Sequence, residues 1–298
     1  MKTRREWLPA VAVAVGAWLT PSAGWAQVQS APVTPVTART MALGGGTYGV
    51  AMSTSAIYSN PAAMSLGRVY HVDSSVGFDP SVNRWAFGGA VVDSTRMVGA
   101  GLAYTFGTNP TTGHSSHDMR LALGVLLTEG VTLGVTGRYM DYEGDAMNAN
   151  GGLGPGYSGF TVDVGVAVRP WRWLSLGVVG FSLTNPDAAV SPLAVGGGFG
   201  VFPIERLGII GDVYWDFRTH DTPRARWSGG VEFMASQVPL RVGYAYDDTR
   251  ADQSVHLITA GVGYLSQSFG AEFAMRQEVS GGDQTTLLLN LRYFHRLM

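Results

Sequence analysis

Residues 160–169 read Phe-Thr-Val-Asp-Val-Gly-Val-Ala-Val-Arg and alternate one large apolar residue with one small or polar residue. A period of two places all the large residues on one face of an extended strand. The same alternation recurs from residue 68 to the end of the chain, and no stretch there keeps a helical period of 3.6. The sequence therefore predicts an all-β structure for this part of the chain.

The alternating pattern divides into fourteen segments, most of them near the ~9–11 residues that a tilted strand needs to cross a membrane. The segments are 68–78, 83–92, 97–107, 117–128, 130–141, 159–169, 173–184, 193–203, 206–218, 224–235, 238–247, 254–265, 268–278 and 284–296.

The connections between these segments alternate in length. Tight turns, such as 128–130 and 266–267, are followed by longer loops, such as 107–116 and 142–158, with the first loop near Asp79 as the exception. Outer-membrane barrels have short turns on one rim and longer loops on the other. We therefore predict a 14-stranded antiparallel transmembrane β-barrel over residues 68–298. A secreted, glycine-rich β-sandwich is the alternative.

The composition excludes several classes of protein. The 298 residues include 41 Gly and no Cys, only 14% are charged, and the formal net charge is −2. Because the chain has no excess of positive charge, we expect no nucleic-acid partner. Because it has no Cys, it has neither disulfides nor thiolate metal sites. Mean hydropathy is +0.11, yet no apolar run reaches the ~18 residues of a spanning helix.

The first residues predict export. Lys2, Arg4 and Arg5 precede an apolar run at 8–19, and small residues lead up to Ala26. This pattern is typical of a secretory signal peptide over residues 1–26, with a buried N-terminal helix as the alternative. Residues 27–67 then form a leader followed by a segment of small residues, and the barrel occupies 68–298.

Charges of both signs lie on the strand faces opposite the large apolar residues. An outward Arg or Lys costs about 2–4 kcal/mol at the bilayer midplane, so we expect these charges to face a polar lumen. They are Asp73, Arg84, Arg120, Arg138, Asp163, Asp212, Asp216, Arg226, Glu232, Arg241, Glu272, Arg276 and Arg292.

Residues 38–66 combine an Ala-Arg pair, a glycine-rich turn, a Ser-Ala-aromatic step and Asn-Pro-Ala. This stretch resembles the N-terminal signature of FadL-type outer-membrane transporters and the related PorV/PorQ proteins. The resemblance implies that the segment folds back into the barrel as a hatch. Asn60, Pro61 and Ala62 would lie in that hatch, and Gly44, Gly45 and Gly46 would allow the backbone to turn tightly. A barrel of this size is also wider than its side chains fill.

The resemblance also implies a function and a location. The protein would sit in the outer membrane, contact its lipids and let small hydrophobic compounds diffuse through, gated by the hatch and pinned by opposite charges such as Arg84, Arg120, Asp212 and Glu232. It implies no cofactor and no metal. Ala63 and the short loops depart from the family and weaken any transfer of fatty-acid binding. A scaffold that holds an exported protein, or a purely structural barrel, are the alternatives.

Two groups of residues have the composition of metal sites. His114, His117 and Asp118 lie close together, and Asp141, Glu143 and Asp145 alternate before a glycine-rich loop. The first group sits among Thr and Ser, and the second lacks the Gly and distal Glu of an EF-hand, so solvated loop residues are the expectation for both.

We expect no catalysis. His71 and Asp73 share one face of the first segment, but no Ser is marked as their nucleophile, and no Gly-x-Ser-x-Gly elbow is present. Gly44-x-Gly46-x-x-Gly49 has the spelling of a dinucleotide-binding turn, but no strand precedes it and no βαβ unit follows.

Overall fold

The computed structural model describes residues 36–143, 146–147, 153–154, 156–185, 188, 190–250 and 253–296. The predicted signal peptide, the leader up to residue 35, Asp145 and the last two residues lie outside the described residues.

Fourteen strands of the described chain form a closed antiparallel barrel in which each strand pairs with its neighbours in sequence and β1 pairs with β16. Two further short strands, β6 and β7, pair with each other in the connection between β5 and β8. The strands are β1 (Val69–Asp79), β2 (Arg84–Asp93), β3 (Val98–Asn109), β4 (His114–Thr128), β5 (Val131–Tyr142), β6 (Ala146–Met147), β7 (Leu153–Gly154), β8 (Tyr157–Trp171), β9 (Leu174–Phe181), β10 (Ala194–Ile204), β11 (Leu207–Asp216), β12 (Arg224–Ala235), β13 (Val238–Asp247), β14 (Val255–Leu265), β15 (Phe269–Ser280) and β16 (Thr285–Arg296).

The predicted 14-stranded barrel is confirmed, and each predicted segment overlaps one barrel strand. The long loop expected at 107–116 is wrong, because β3 and β4 continue pairing to Asn109 and His114 and leave only a tight turn. Gly113, with φ +76°, permits this turn. Strand β9 ends earlier than predicted because Ser182 has φ +54°, which leaves the extended region.

The strands present their large apolar residues outward. Leu121 and Phe160 are each 58% exposed, whereas Ala122, the inward neighbour of Leu121, is fully buried. A continuous apolar surface of this extent is stable only against a nonpolar phase. Trp171 and Trp173 stack with ring centroids 5.2 Å apart at one rim, the position at which aromatic residues meet the membrane–water interface.

The two rims of the barrel differ in the length of their connections. The short-turn rim carries the connections β2–β3, β4–β5, β8–β9, β10–β11, β12–β13 and β14–β15, each of two to four residues. The long-loop rim carries the other connections, up to the one between β5 and β8. No helix within the described residues is long and apolar enough to span a membrane.

Residues 36–67, called the inner segment below, pack against the inward side chains of the barrel. Helix α1 (Ala38–Ala42) lies against β13, β14, β15 and β16. Helix α2 (Thr54–Ser59) touches β1–β4, and a 3-10 helix (Pro61–Leu66) lies against β3, β4, β5 and β8. Because it contacts strands around most of the circumference, the inner segment lies inside the lumen.

Leu121→Arg should lower the free energy of unfolding by about 2–4 kcal/mol, because Leu121 is outward and in the middle of β4. Leu127→Arg on the same face, next to the short-turn rim, is the control and should cost about 0–1 kcal/mol. Urea unfolding of protein inserted in phospholipid vesicles measures both. Equal losses at the two positions would contradict a membrane-spanning outer face.

Candidate functional site

Helix α1 brings a buried arginine into the lumen. The Thr37 hydroxyl caps the helix by accepting from the Thr40 amide at 3.3 Å. Arg39, only 3% exposed, donates from Nε and Nη2 to the two carboxylate oxygens of Glu232 at 3.0 and 3.1 Å, and from Nη1 to the Val50 carbonyl at 3.1 Å. Burial lowers the pKa of Arg39, but the pair with Glu232 outweighs it and holds that pKa above its ordinary value.

Arg39 is the end of a chain of ion pairs along the inner wall. Glu232 also meets Arg241 at 2.5 Å, Arg241 meets Glu272 at 2.5 Å, and Arg292 bridges Glu272 at 2.7 Å and Asp73 at 3.3 Å. Three guanidinium groups thus face three carboxylates. Equal numbers of opposite charges in contact offset much of the cost of burying each of them. The inner segment is therefore tied electrostatically to five strands of the wall.

The glycine run of the inner segment makes a tight turn against β11. Gly44 and Gly45 both have φ +92°, a conformation that side chains with a Cβ rarely adopt. A Cβ on Gly46 would lie 2.6 Å from the Cβ of Asp212. The Asp212 carboxylate accepts from the amides of Thr47 at 2.9 Å and Tyr48 at 2.7 Å, so it fixes the end of this turn.

Asn60 joins three parts of the structure. Its Oδ1 accepts from the Ala62 amide at 3.1 Å and so caps the 3-10 helix, in which Pro61 takes the first position. Its Nδ2 donates to the carbonyls of Tyr48 at 3.0 Å and Val166 at 3.1 Å. Asn60 and Ala62 are fully buried, so these bonds hold the two halves of the inner segment together and against β8.

The inner wall approaches the inner segment so closely that a Cβ at many of its glycines would force neighbouring atoms to shift. At each of these glycines a Cβ would come within 3.0 Å of the inner segment. They are Gly101, Gly124, Gly134, Gly165, Gly177, Gly200, Gly230, Gly243 and Gly261. The high glycine content of the chain therefore shapes the lumen to the inner segment.

A second charged group lies on the opposite side of the lumen. Asp118 pairs with Arg120 at 2.7 Å and Arg138 at 2.6 Å. The Arg120 guanidinium carbon lies 5.1 Å from the ring centroid of Tyr58 in the inner segment, a cation–π arrangement. Burial raises the pKa of Tyr58 to about 12, so the phenol stays neutral there.

The third contact joins the inner segment to the wall near the long-loop rim. Arg226 Nη2 donates to the Tyr48 hydroxyl at 3.1 Å, and its guanidinium carbon lies 5.4 Å from the Tyr214 ring centroid. The Phe181 ring packs between those of Tyr48, at 5.5 Å, and Tyr214, at 5.7 Å.

The remaining predicted residues lie at the ends of strands or within the wall. Arg84 is opposite Asp79 in the β1–β2 register. Asp216 caps a turn at the long-loop rim by accepting from the amides of Arg218 and Thr219, both at 2.9 Å. Asp163 accepts from the Ser182 amide at 2.8 Å.

The contacts of three residues of the site were not predicted from the sequence. They are Arg39, Tyr48 and Asn290, whose Oδ1 accepts from the Ala38 amide at 2.5 Å. Asn290 is a polar residue at an inward position of β16, between Leu288 and Arg292. A polar side chain at such a position indicates a hydrogen-bond partner inside the lumen. For Arg39 the signal was an Arg in a segment otherwise free of charge.

The structure separates the residues of the other motifs. His117 and Asp118 point to opposite faces of β4, and the His117 ring contacts Tyr104, with 2.7 Å between Nδ1 and the hydroxyl. Glu143 accepts from the Ser115 hydroxyl at 2.6 Å. Within the described residues, no three His, Asp or Glu are grouped to hold a metal ion.

His71 and Asp73 have different partners. His71 Nδ1 contacts the hydroxyl of Ser53, which has φ +54° at the start of α2, whereas Asp73 pairs with Arg292 and accepts from Asn290 at 2.7 Å.

A narrow cleft, part of it open to solvent, runs between the inner segment and the wall. Val36, Thr37, Met41 and Tyr58 line it on one side, and Asp73, Ser75, Gly77, Ala86, Thr105, Thr286 and Leu288 on the other. Its lining combines apolar side chains with hydroxyl groups and the Asp73 carboxylate, and the cleft has room for little more than a water molecule, so a hydrophobic ligand could enter only if the inner segment moved.

Several solved structures share this fold. The "CymD monoaromatic hydrocarbon channel" has 8% sequence identity, with a TM-score of 0.62 over 90% of this chain and 99% of the other. The Pseudomonas putida toluene transporter TodX has 13% identity, with a TM-score of 0.61 over 89% and 98%. A Pseudomonas aeruginosa FadL homologue has 12% identity, with a TM-score of 0.60 over 90% and 100%.

No family model and no curated protein matches the sequence. At 8–13% identity the structural likeness shows the fold alone. The chain has the fold of the FadL-type outer-membrane barrels.

Gly134→Ala should destabilise the protein by about 1–3 kcal/mol, because overpacking forces side chains and backbone to shift. The new methyl would lie 2.3 Å from the Ala62 amide nitrogen. Gly89→Ala is the matched control, since its methyl would face outward with the nearest atom at 3.9 Å. Urea unfolding in vesicles gives both values, and similar stability of the two variants would show that the inner segment is not closely packed.

Arg39→Met should loosen the inner segment, because removing one partner from a buried ionic network costs about 3–5 kcal/mol. We expect new channel openings in planar bilayers and faster proteolysis within residues 36–67. Arg172→Met, at an exposed position on the short-turn rim, is the control. A closed, protease-resistant Arg39→Met variant would show that the ion pair does not hold the segment.

Proposed function

We propose that the protein lets small hydrophobic compounds diffuse across the outer membrane and that the inner segment is the gate. One observation carries the proposal: residues 36–67 fill the lumen without forming part of its wall. Because the inner segment belongs to none of the barrel strands, it can move while the strands stay paired with one another. The printed names of the structural neighbours, a hydrocarbon channel and a toluene transporter, support the choice of cargo.

The location follows from the same features. The outward apolar faces and rim aromatic residues suit a bilayer, and the fold is that of outer-membrane barrels. Export through a signal peptide over residues 1–26 belongs to this proposal. Outer-membrane lipids would then be the surroundings of the barrel.

The cleft suggests where the gate opens. It lies between α1 and strands β1, β2, β3 and β16, and three of its wall residues, Gly77, Ala86 and Thr286, are close to the long-loop rim. Widening the cleft means moving α1 away from β16 and breaking its contacts with Asn290 and Glu232. A ligand that binds the widened cleft better than the closed one shifts the equilibrium toward it. Downhill diffusion then needs no energy source.

A second candidate is a scaffold that holds an exported protein at its rim. The close fit between the inner-wall glycines and the inner segment favours it, because such a lumen is solid and rigid. In this case the inner segment would stay in place, and binding would occur on the loops.

Tethering the inner segment to the wall should block uptake. Ala42 on α1 and Ala274 on β15 belong to one buried cluster, and the chain has no Cys of its own. In cells that lack other FadL-type channels, the oxidised Ala42→Cys/Ala274→Cys variant should take up radiolabelled toluene at the background rate. A reducing agent should restore the rate.

The control is a disulfide that cross-links two strands of the wall. Ala90→Cys/Ala103→Cys joins register partners on β2 and β3 and should leave uptake unchanged on oxidation. Equal uptake by the oxidised and reduced forms of the first variant would contradict gating by α1. If the unmodified protein does not raise toluene uptake above background, and an exported protein purifies with it, the scaffold is the correct function.

A further inference from the structure

The inner segment closes the lumen mainly in the half next to the short-turn rim. Most of the inner-wall glycines that meet it lie in that half of their strands, for example Gly101, Gly134 and Gly177. The cleft beside α1, in contrast, extends toward the long-loop rim, where Gly77 and Thr286 line it. A compound that enters the cleft must therefore still pass the short-turn half of the lumen before it can leave.

The inward faces of β1 and β2 connect the cleft to that half. Each of four inward residues of β1 has an inward register partner on β2, and the pairs, in order from the long-loop rim, are Gly77–Ala86, Ser75–Gly88, Asp73–Ala90 and His71–Val92. The first three pairs contain only small residues apart from Asp73, and most of these residues line the cleft. The last pair is the bulkiest, and the Phe294 ring packs edge-on against the His71 ring, with ring centroids 6.0 Å apart. The side chains along the two strands therefore restrict the space most at His71.

The turn at residues 51–53, which precedes α2, covers this end of the two strands. Ser53 contacts His71, the third residue of β1, so the turn lies close to the short-turn rim. Met52 in the turn is 46% exposed, whereas Ala51 before it is 1% exposed. Among the described residues, the only hydrogen bond between this turn and the wall joins the Ser53 hydroxyl to Nδ1 of His71. The turn thus has a single polar attachment to the wall.

The local structure of Ser53 is unusual in two ways. Its φ of +54° and ψ of −131° are backbone angles that residues with a Cβ rarely adopt. Ser53 also precedes α2, but its hydroxyl does not cap that helix, whereas the side chains of Thr37 and Asn60 cap theirs. Strained angles persist only where the surrounding contacts impose them, and they are frequent in elements that move. The Ser53 hydroxyl is therefore engaged with the wall and not with its own helix.

We propose that hydrophobic compounds leave the lumen along β1 and β2, and that the hydrogen bond between Ser53 and His71, called the exit contact below, closes this route. The exit opens when the turn at 51–53 moves away from β1. The helices on either side need not move with it, because Arg39 anchors α1 and Asn60 anchors the 3-10 helix. Ser53 and His71 are positioning residues, since they act by placing the turn. This inference rests on the proposed function, because it names the exit of the same lumen.

Cysteine labelling of the purified protein tests the exit contact, because the chain has no Cys of its own. Val92→Cys places a thiol at a fully buried position opposite His71. Ser53→Ala should raise the rate at which a water-soluble maleimide labels this thiol by about three- to tenfold, the effect of losing one hydrogen bond. Ser53→Gly should raise the rate less, because glycine adopts the same backbone angles without strain and so favours the covered state.

Ala167→Cys on β8 is the matched control. Ala167 is also fully buried and inward, but it lies far from β1 in the barrel, so Ser53→Ala should leave its labelling unchanged. A shift in gel mobility on heating shows that each variant is folded. Unchanged labelling of Val92→Cys, or an equal increase at both positions, overturns the inference.

Fixing the turn to β1 tests the route in cells. Ser53→Cys/His71→Cys places two thiols where the side chains touch, and a short bifunctional thiol reagent links them. In cells that lack other FadL-type channels, the linked protein should take up radiolabelled toluene at the background rate. The unlinked variant should take it up at least as fast as the unmodified protein. Thr132→Cys/Ala167→Cys, which links register partners on β5 and β8, is the control and should leave uptake unchanged.

The two measurements separate this inference from the proposed function. Toluene uptake by the linked Ser53→Cys/His71→Cys variant at the unmodified rate overturns the inference and leaves the transport function standing. If the unmodified protein does not raise toluene uptake above background, the proposed function fails. In that case faster labelling of Val92→Cys in the Ser53→Ala variant would still show that the exit contact holds the turn over the short-turn end of β1 and β2.

Discussion

The close contact between the inner segment and the barrel wall is the constraint on which the rest of the structure depends. Fourteen strands enclose a lumen that their own side chains do not fill. The chain fills it with residues 36–67, and the wall becomes a surface of Gly and Ala to admit a second layer of backbone. Gly134 and Gly177 show the consequence most clearly, because a single methyl group at either position would meet the backbone of the inner segment. Close packing of this kind ties wall and segment into one unit.

Ion pairs and polar contacts then attach the inner segment to the wall. The chain from Arg39 to Asp73 balances its charges, and so does much of the group around Asp118. Those balanced groups attach the inner segment. Arg226, in contrast, meets the inner segment through a neutral partner, the Tyr48 hydroxyl. The wall thus holds the inner segment by ion pairs on one side of the lumen and by neutral polar and aromatic contacts elsewhere.

The sequence by itself determined the barrel, because a period of two is a local property that fixes which face of each strand is apolar. It also determined that charges such as Asp73 and Glu232 belong to the faces opposite the apolar ones. It did not predict that β9 ends at Phe181 or that β3 and β4 meet in a tight turn, because single backbone angles at Ser182 and Gly113 decide both. Only the tertiary structure determined which charged side chains pair with each other. Arg39 and Glu232 are 193 residues apart in the chain, and no local pattern specifies which distant carboxylate closes on a buried guanidinium.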